Sequence, residues 1–188
     1  MSYIGDAKVF RYSWYMRAIL FLQRRRYGRE LEPVLLWGRL PRAYLGMATM
    51  SGVLNRKASP IDPALRSLIQ VLISRINSCD FCIDLNSFVS LERGATLEKL
   101  QSLPTFEQSP LFSDGEKAAL CYATAVTHSG RNVDANIVSN LRRHFDDQGI
   151  VELAALIAFQ NMSSKFNAAL GIEAHGFCGL KIGQDANP

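Results

Sequence analysis

Cys79 and Cys82 stand three positions apart, with Asp80 and Phe81 between them. Two thiols at that spacing can close into a disulfide, share a metal ion or exchange electrons with a substrate, and the thiolate is the reactive form. Helical apolar spacing precedes the pair at Leu65, Leu68, Ile69, Leu72, Ile73 and Ile76, and resumes after it at Ile83, Leu85 and Val89. Cys79 is therefore expected at or just before a helix N-terminus, where unpaired backbone N–H groups and the positive dipole end favour thiolate. A second cysteine three positions on can resolve a sulfenic acid or a mixed disulfide. Asp80 opposes thiolate formation if its carboxylate lies close. The competing reading is a pair of buried, inert thiols. A metal would need two more ligands, and neither Cys121 nor Cys178 belongs to a second C-x-x-C or C-x-x-H unit. Cys121 falls in an apolar helical pattern and reads as a small core residue. His128, His144 and His175 are scattered and read as surface or tail residues. Neither metal nor cofactor is expected.

The elements that must hold the pair are all helical in pattern. A helix from Pro41 to Leu54 opens on proline in its first turn and places Leu40, Tyr44, Leu45, Met47, Ala48 and Val53 on one side. Asp62 caps a helix whose first residue is Pro63 and which is apolar enough to be mostly buried. The segment from Cys79 to Arg93 stops at Gly94, and Thr96 caps a short helix to Gln101. Ser113 and Glu116 form a capping box ahead of an alanine-rich helix through Val126. A helix from Asp134 to Phe145 follows. Asp146 or Asp147 then caps a long one from Gly149 to Leu170, closed by Gly171. Residues from Glu173 onward carry three glycines and read as irregular. Ser67-Leu-Ile runs on to Asn77 as Glu152-Leu-Ala runs on to Asn161, an echo that fits two related helical hairpins packed face to face. The fold class is all-α: a single-domain bundle of about seven to nine helices.

Composition agrees with one such domain. The chain has 188 residues, 48% of them hydrophobic and 20% charged, which suits an ordinary globular protein with a real core. No apolar run approaches the ~20 residues that span a bilayer. The stretch Ala18–Leu22 is short, is flanked by Arg17 and the triplet Arg24, Arg25 and Arg26, and lacks a signal-peptide cleavage pattern. Four cysteines are too few for a secreted disulfide scaffold of this size, so a cytoplasmic location is expected. Much of the net charge of +4 lies near the start, where Lys8, Arg11, Arg17, Arg24, Arg25, Arg26 and Arg29 face only Asp6 and Glu30. Phe10, Trp14, Ala18, Phe21 and Leu22 recur among them at helical spacing. They predict a basic amphipathic helix that docks this stripe on the core or a neighbouring subunit. No nucleic-acid motif accompanies the charge, and no nucleic-acid partner is expected.

The run from Asp62 through Cys79-Asp-Phe-Cys82 to Asn86, followed by Gly94-Ala-Thr-Leu-Glu-Lys-Leu100, resembles the carboxymuconolactone decarboxylase superfamily on its alkylhydroperoxidase D-like branch. Glu116–Leu120, Val151–Leu153 and Asn161-Met162 through Asn167 resemble the second half of that family. The resemblance covers roughly Leu35 to Glu173. It gives a division into a basic extension (1–34), a helical domain (35–176) and an irregular tail (177–188). It implies assembly into dimers, trimers or hexamers and a peroxidase that reduces hydroperoxides through two cysteines. Cys82 would attack the peroxide and Cys79 would resolve the sulfenic acid, with a dithiol or lipoyl-type carrier as electron donor. The family's proton relay uses a glutamate and a histidine at the positions of Ser67 and Asn86. Neither a hydroxyl nor an amide is a base near neutral pH. As polar groups these two would hydrogen-bond each other, a water or the thiolate, and support disulfide exchange. Three readings follow: a thiol oxidoreductase acting on a hydroperoxide or small disulfide, a decarboxylase-type non-redox enzyme, and an oligomeric binding or structural protein that keeps the fold without the chemistry.

Overall fold

The structure, a computed structural model, describes residues 2–4, 10–130 and 132–179. Asp6 and Lys8 of the basic segment, and the tail beyond Gly179, lie outside the described residues. The described residues form nine α-helices and no strand: α1 (Trp14–Tyr27), α2 (Glu32–Trp37), α3 (Pro41–Leu54), α4 (Pro63–Ile76), α5 (Asp80–Glu92), α6 (Leu97–Ser102), α7 (Asp114–Thr127), α8 (Ala135–Leu141) and α9 (Asp147–Ala169). A single 3-10 turn, Leu103–Thr105, follows α6. The all-α expectation holds.

Local chemistry explains most boundaries. Asp62 Oδ1 accepts the Leu65 N–H at 2.9 Å with Pro63 in the first turn of α4. The Ser113–Glu116 box is complete, with contacts of 3.3 and 2.8 Å. Asp146, and not Asp147, caps α9, taking the Gly149 N–H at 2.7 Å. Each such cap satisfies a donor that the first helical turn leaves unpaired. That same cap shortens α8. Asp146 must be extended to cap α9, so the chain leaves the helix after Leu141 and does not continue to Phe145. Gly171 ends α9 at φ 65°, and a Cβ there would lie 2.7 Å from the Tyr3 ring. Helix α2 has no counterpart in the sequence reading: six residues around Pro33 are too few to display a period.

Two apolar clusters divide the interior. The larger one surrounds α4, which is buried continuously from Leu65 to Ser74 and packs on α5, α7 and α9. The second joins Met16 and Leu20 of α1, Leu31, Val34, Leu35 and Leu36 around α2, and Tyr44 of α3 to Cys79, Phe81, Cys82 and Ile172. Helix α1 docks on the body by the face opposite to the stripe expected, so the core is not what that stripe covers. Trp14, Phe21 and Leu22 are 81%, 58% and 62% exposed, whereas Met16 and Leu20 are buried beside half-buried Tyr12 and Ile19. Both sets have helical spacing. The buried set also leaves Arg26 free to meet Glu92 of α5 at 2.9 Å.

Helices α4 and α9 share a polar seam. The pattern Gln-x-x-x-Ser-x-x-Asn occurs at Gln70, Ser74 and Asn77, and again 90 residues later at Gln160, Ser164 and Asn167. Gln160 donates to Ser74 Oγ at 3.0 Å, and Asn77 donates to Ser164 Oγ at 2.8 Å. The internal echo is therefore real in kind but shifted in register. Asn77 corresponds to Asn167, and Asn161 is its hydrogen-bond partner at 2.9 Å.

Candidate functional site

The turn between α4 and α5 sets the position of the cysteines. Ser78 takes a left-handed conformation, φ 51°, which reverses the chain within two residues. The Cys79 N–H then bonds the Ser74 carbonyl at 2.9 Å, and Cys79 becomes the N-cap of α5. Its Sγ accepts the Cys82 N–H at 3.3 Å. Cys82 lies in the first turn, and helical side chains tilt toward the N-terminus, so its sulfur reaches back to Cys79. The two sulfurs are bonded, with Cα atoms 5.3 Å apart. Both residues are nearly sealed from solvent, at 1% and 4% exposure. Asp80 is exposed and is not a partner of either sulfur.

Cys82 Sγ has a second donor: Asn167, in the last turn of α9, presents Nδ2 at 3.2 Å. Asn167 is 2% exposed and firmly placed. Its own carbonyl accepts the N–H groups of Leu170 and Ile172, while the adjacent Phe166 ring stacks on Trp37 at 4.0 Å. Among the described residues, therefore, both donors on the sulfurs are neutral amides, and no carboxylate or imidazole is hydrogen-bonded to them.

The expected orienting residues lie elsewhere. Asn86 sits one turn beyond Cys82 and donates to Ser74 Oγ at 3.3 Å. Ser67 is fully buried farther along α4. It donates to the Pro63 carbonyl at 3.1 Å and accepts from Arg93 Nη1 at 2.9 Å. The two do not bond each other, and neither bonds a sulfur. Antiparallel packing of α4 on α5 explains the separation. It brings Ser67 to the far end of α5, where Arg93 is, and Asn86 to Ser74 in the last turn of α4. Asn86 thereby joins the neutral seam of Ser74, Gln70 and Gln160.

A third group of contacts lies on the outer side of the pair. Asp84, 8% exposed, accepts the backbone N–H groups of His175, Phe177 and Cys178 at 2.9, 3.0 and 2.8 Å. The described part of the tail is irregular, as expected, but it is clamped over the head of α5. His175 is no loose tail residue. Its side chain is 6% exposed, meets the Phe81 ring edge-on at 4.9 Å and lies 4.0 Å from Glu32. Burial pushes its imidazole below the ordinary range, Arg29 adds to that, and Glu32 and Asp84 oppose it. His128 and His144 are exposed, and Cys121 is half-buried in α7. Among the described residues, no three His, Cys, Asp or Glu side chains gather as a metal would require.

Asn167, Asp84 and His175 are thus the neighbours that the sequence reading missed. The repeated Gln-x-x-x-Ser-x-x-Asn pattern carried a signal for Asn167. The other two act across contacts spanning about ninety residues, which no local pattern announces. The arrangement as a whole can do disulfide chemistry: paired sulfurs, a helix N-terminus and two N–H donors that suit negative charge on sulfur.

Residues 41–125 match the Carboxymuconolactone decarboxylase family. The chain is 42% identical over 163 residues to the uncharacterized protein YnjA of Escherichia coli, covering 87% of this chain and 90% of that one. Among solved structures, the alkylhydroperoxidase AhpD core of a peroxidase-related protein from Ralstonia eutropha JMP134 superposes with a TM-score of 0.81 at 17% identity, covering 94% of each chain. The debrominase Bmp8 superposes with a TM-score of 0.79 at 18% identity, covering 96% of this chain and 95% of that one. Likenesses at such identity carry the fold, not the reaction.

Proposed function

The chain belongs to the carboxymuconolactone decarboxylase family, and from that premise we propose that it is a thiol-dependent oxidoreductase working through Cys82 and Cys79. The observation that carries this reading is the Cys79–Cys82 disulfide at the head of α5, with an N–H donor on each sulfur. In the reduced protein the Cys82 thiolate attacks the hydroxyl oxygen of a hydroperoxide. The O–O bond breaks, Cys82 becomes the sulfenic acid, and the leaving alkoxide takes a proton to give the alcohol. The Cys79 thiol then attacks the Cys82 sulfur, releasing water and restoring the disulfide. A dithiol carrier, of lipoyl type, returns two electrons by exchange, and a small disulfide can enter by the same route. A homo-oligomer in the cytoplasm is the setting that goes with this reading.

Among the described residues no base is hydrogen-bonded to either sulfur, so this chemistry draws on thiolate that the donors stabilise. General-base assistance is worth about 10²- to 10⁴-fold, which sets turnover correspondingly low. The test is peroxide consumption with a small dithiol as reductant, comparing the wild-type protein with Cys82→Ser. Turnover is expected to vanish in the variant, and equal turnover would rule the reading out. One observation favours a second reading: exposures of 1% and 4% suit a pair kept for structure in an oligomeric binding protein. Under that reading the reduced wild-type protein also leaves peroxide untouched.

A further inference from the structure

Asn167 has two chemically distinct ends and uses only one of them among the described residues. Nδ2 lies 3.2 Å from Cys82 Sγ. Oδ1 is buried and accepts no hydrogen bond. A buried amide oxygen left unpaired bears its full desolvation penalty, and the neighbouring amides of the seam, Gln160 and Asn161, use both of their ends. Asn77, at the matching place in α4, donates to both Asn161 and Ser164, and Asn161 in turn donates to Thr127. The unfilled acceptor therefore stands at the one Asn of the repeat that touches a cysteine. It is held there by the fixed end of α9, where Phe166 stacks on Trp37 and the Asn167 carbonyl ties down Leu170 and Ile172.

We propose that Asn167 is a catalytic amide, its N–H holding the charge of the Cys82 thiolate and its Oδ1 accepting the O–H of the incoming hydroperoxide. This rests on the peroxidase reading given above for the same two cysteines. The hydroxyl oxygen that the thiolate attacks is the one that remains on sulfur, so the O–H passes intact from hydroperoxide to sulfenic acid, its hydrogen held throughout in a hydrogen bond accepted by Oδ1. The amide neither gains nor loses a proton. It lowers the energy of the charged sulfur through one end and orients the reacting oxygen through the other.

The test uses the full chain with Cys79→Ser, so that Cys82 titrates alone, and compares it with Asn167→Ala and Asn167→Asp in that background. Iodoacetamide alkylation followed against pH reads the thiol midpoint without any peroxide. The midpoint is expected to rise by about one unit in Asn167→Ala, and further in Asn167→Asp, where a carboxylate faces the sulfur. At a pH where the thiolate is saturated in every protein, alkylation should return to the parent rate, while reaction with tert-butyl hydroperoxide stays about tenfold slower for want of the acceptor. Should Asn167→Asp fail to fold, Asn167→Ala carries both readouts. A midpoint that does not move, or a hydroperoxide rate that recovers fully with the thiolate, overturns the inference. Failure of the peroxidase reading looks different: hydroperoxide reacts with none of the proteins, yet the midpoints still move.

Discussion

At the scale of single residues, the proposed chemistry leaves the charge of the Cys82 thiolate to hydrogen-bond donors, since among the described residues no base is hydrogen-bonded to either sulfur. Asn167 gives an N–H to its sulfur, Cys79 caps the same helix, and the positions that would relay a proton hold Ser67 and Asn86. Asn86 sits one turn past Cys82, so an imidazole placed there would lie on the same face of α5. Asn86→His is therefore expected to speed peroxide reduction at pH 7 by about tenfold or more, measured as the second-order rate with the reduced protein. No gain would show that access, and not the missing base, limits the rate. The cysteines were legible in the sequence because their spacing is local. The repeat marked Asn167 as a position but not its contact with Cys82, which spans 85 residues. Of the partners expected for Ser67 and Asn86, neither each other nor a sulfur is met, for a geometric reason: antiparallel helices pair residues by their distance from the turn, which separates these two along α4.

At the scale of elements, the caps were the most readable feature. Asp62, Thr96, Ser113 and Asp146 each accept the N–H that a helix start leaves open. Two apolar stripes share α1: the one carrying Met16 and Leu20 packs in the groove against α2, and the one carrying Trp14, Phe21 and Leu22 stays exposed on the single chain. The irregular segment after α9 packs against the cysteine cluster. Asp84 holds it with three backbone N–H groups, while Ile172 packs into the cysteine cluster and Phe177 lies against it. Asp84→Ala removes all three bonds at once. Its expected effect is faster alkylation of the reduced cysteines, by about tenfold, since the loss of bonds to a charged group loosens local closure. Trapping of Cys82 and Cys79 followed by mass spectrometry reads this directly, and an unchanged rate would mean that the segment does not control entry.

At the scale of the whole molecule, two clusters meet along α4 and α5, and the cysteines belong to the one that includes α1, α2 and α3. Global stability should therefore respond to His175, buried in the same region among Arg29, Glu32 and Asp84. Its native pKa is lowered, so the unfolded chain binds a proton more readily. The stability tied to the neutral imidazole is complete above the unfolded value of about 6.5 and is lost as pH falls through the native one. Urea unfolding at about pH 7.5 and pH 5.5 should show a larger loss for the wild-type protein than for His175→Gln, and equal losses would contradict the sign. The central claim, that Cys79 and Cys82 turn over as a redox pair, is tested most directly by titrating the fully reduced protein with tert-butyl hydroperoxide, without any added reductant, and counting both reactants. The account predicts that one equivalent of hydroperoxide is consumed as the Cys79 and Cys82 thiols are lost together to their disulfide, with one equivalent of alcohol formed. Hydroperoxide left intact while both thiols remain titratable would contradict it.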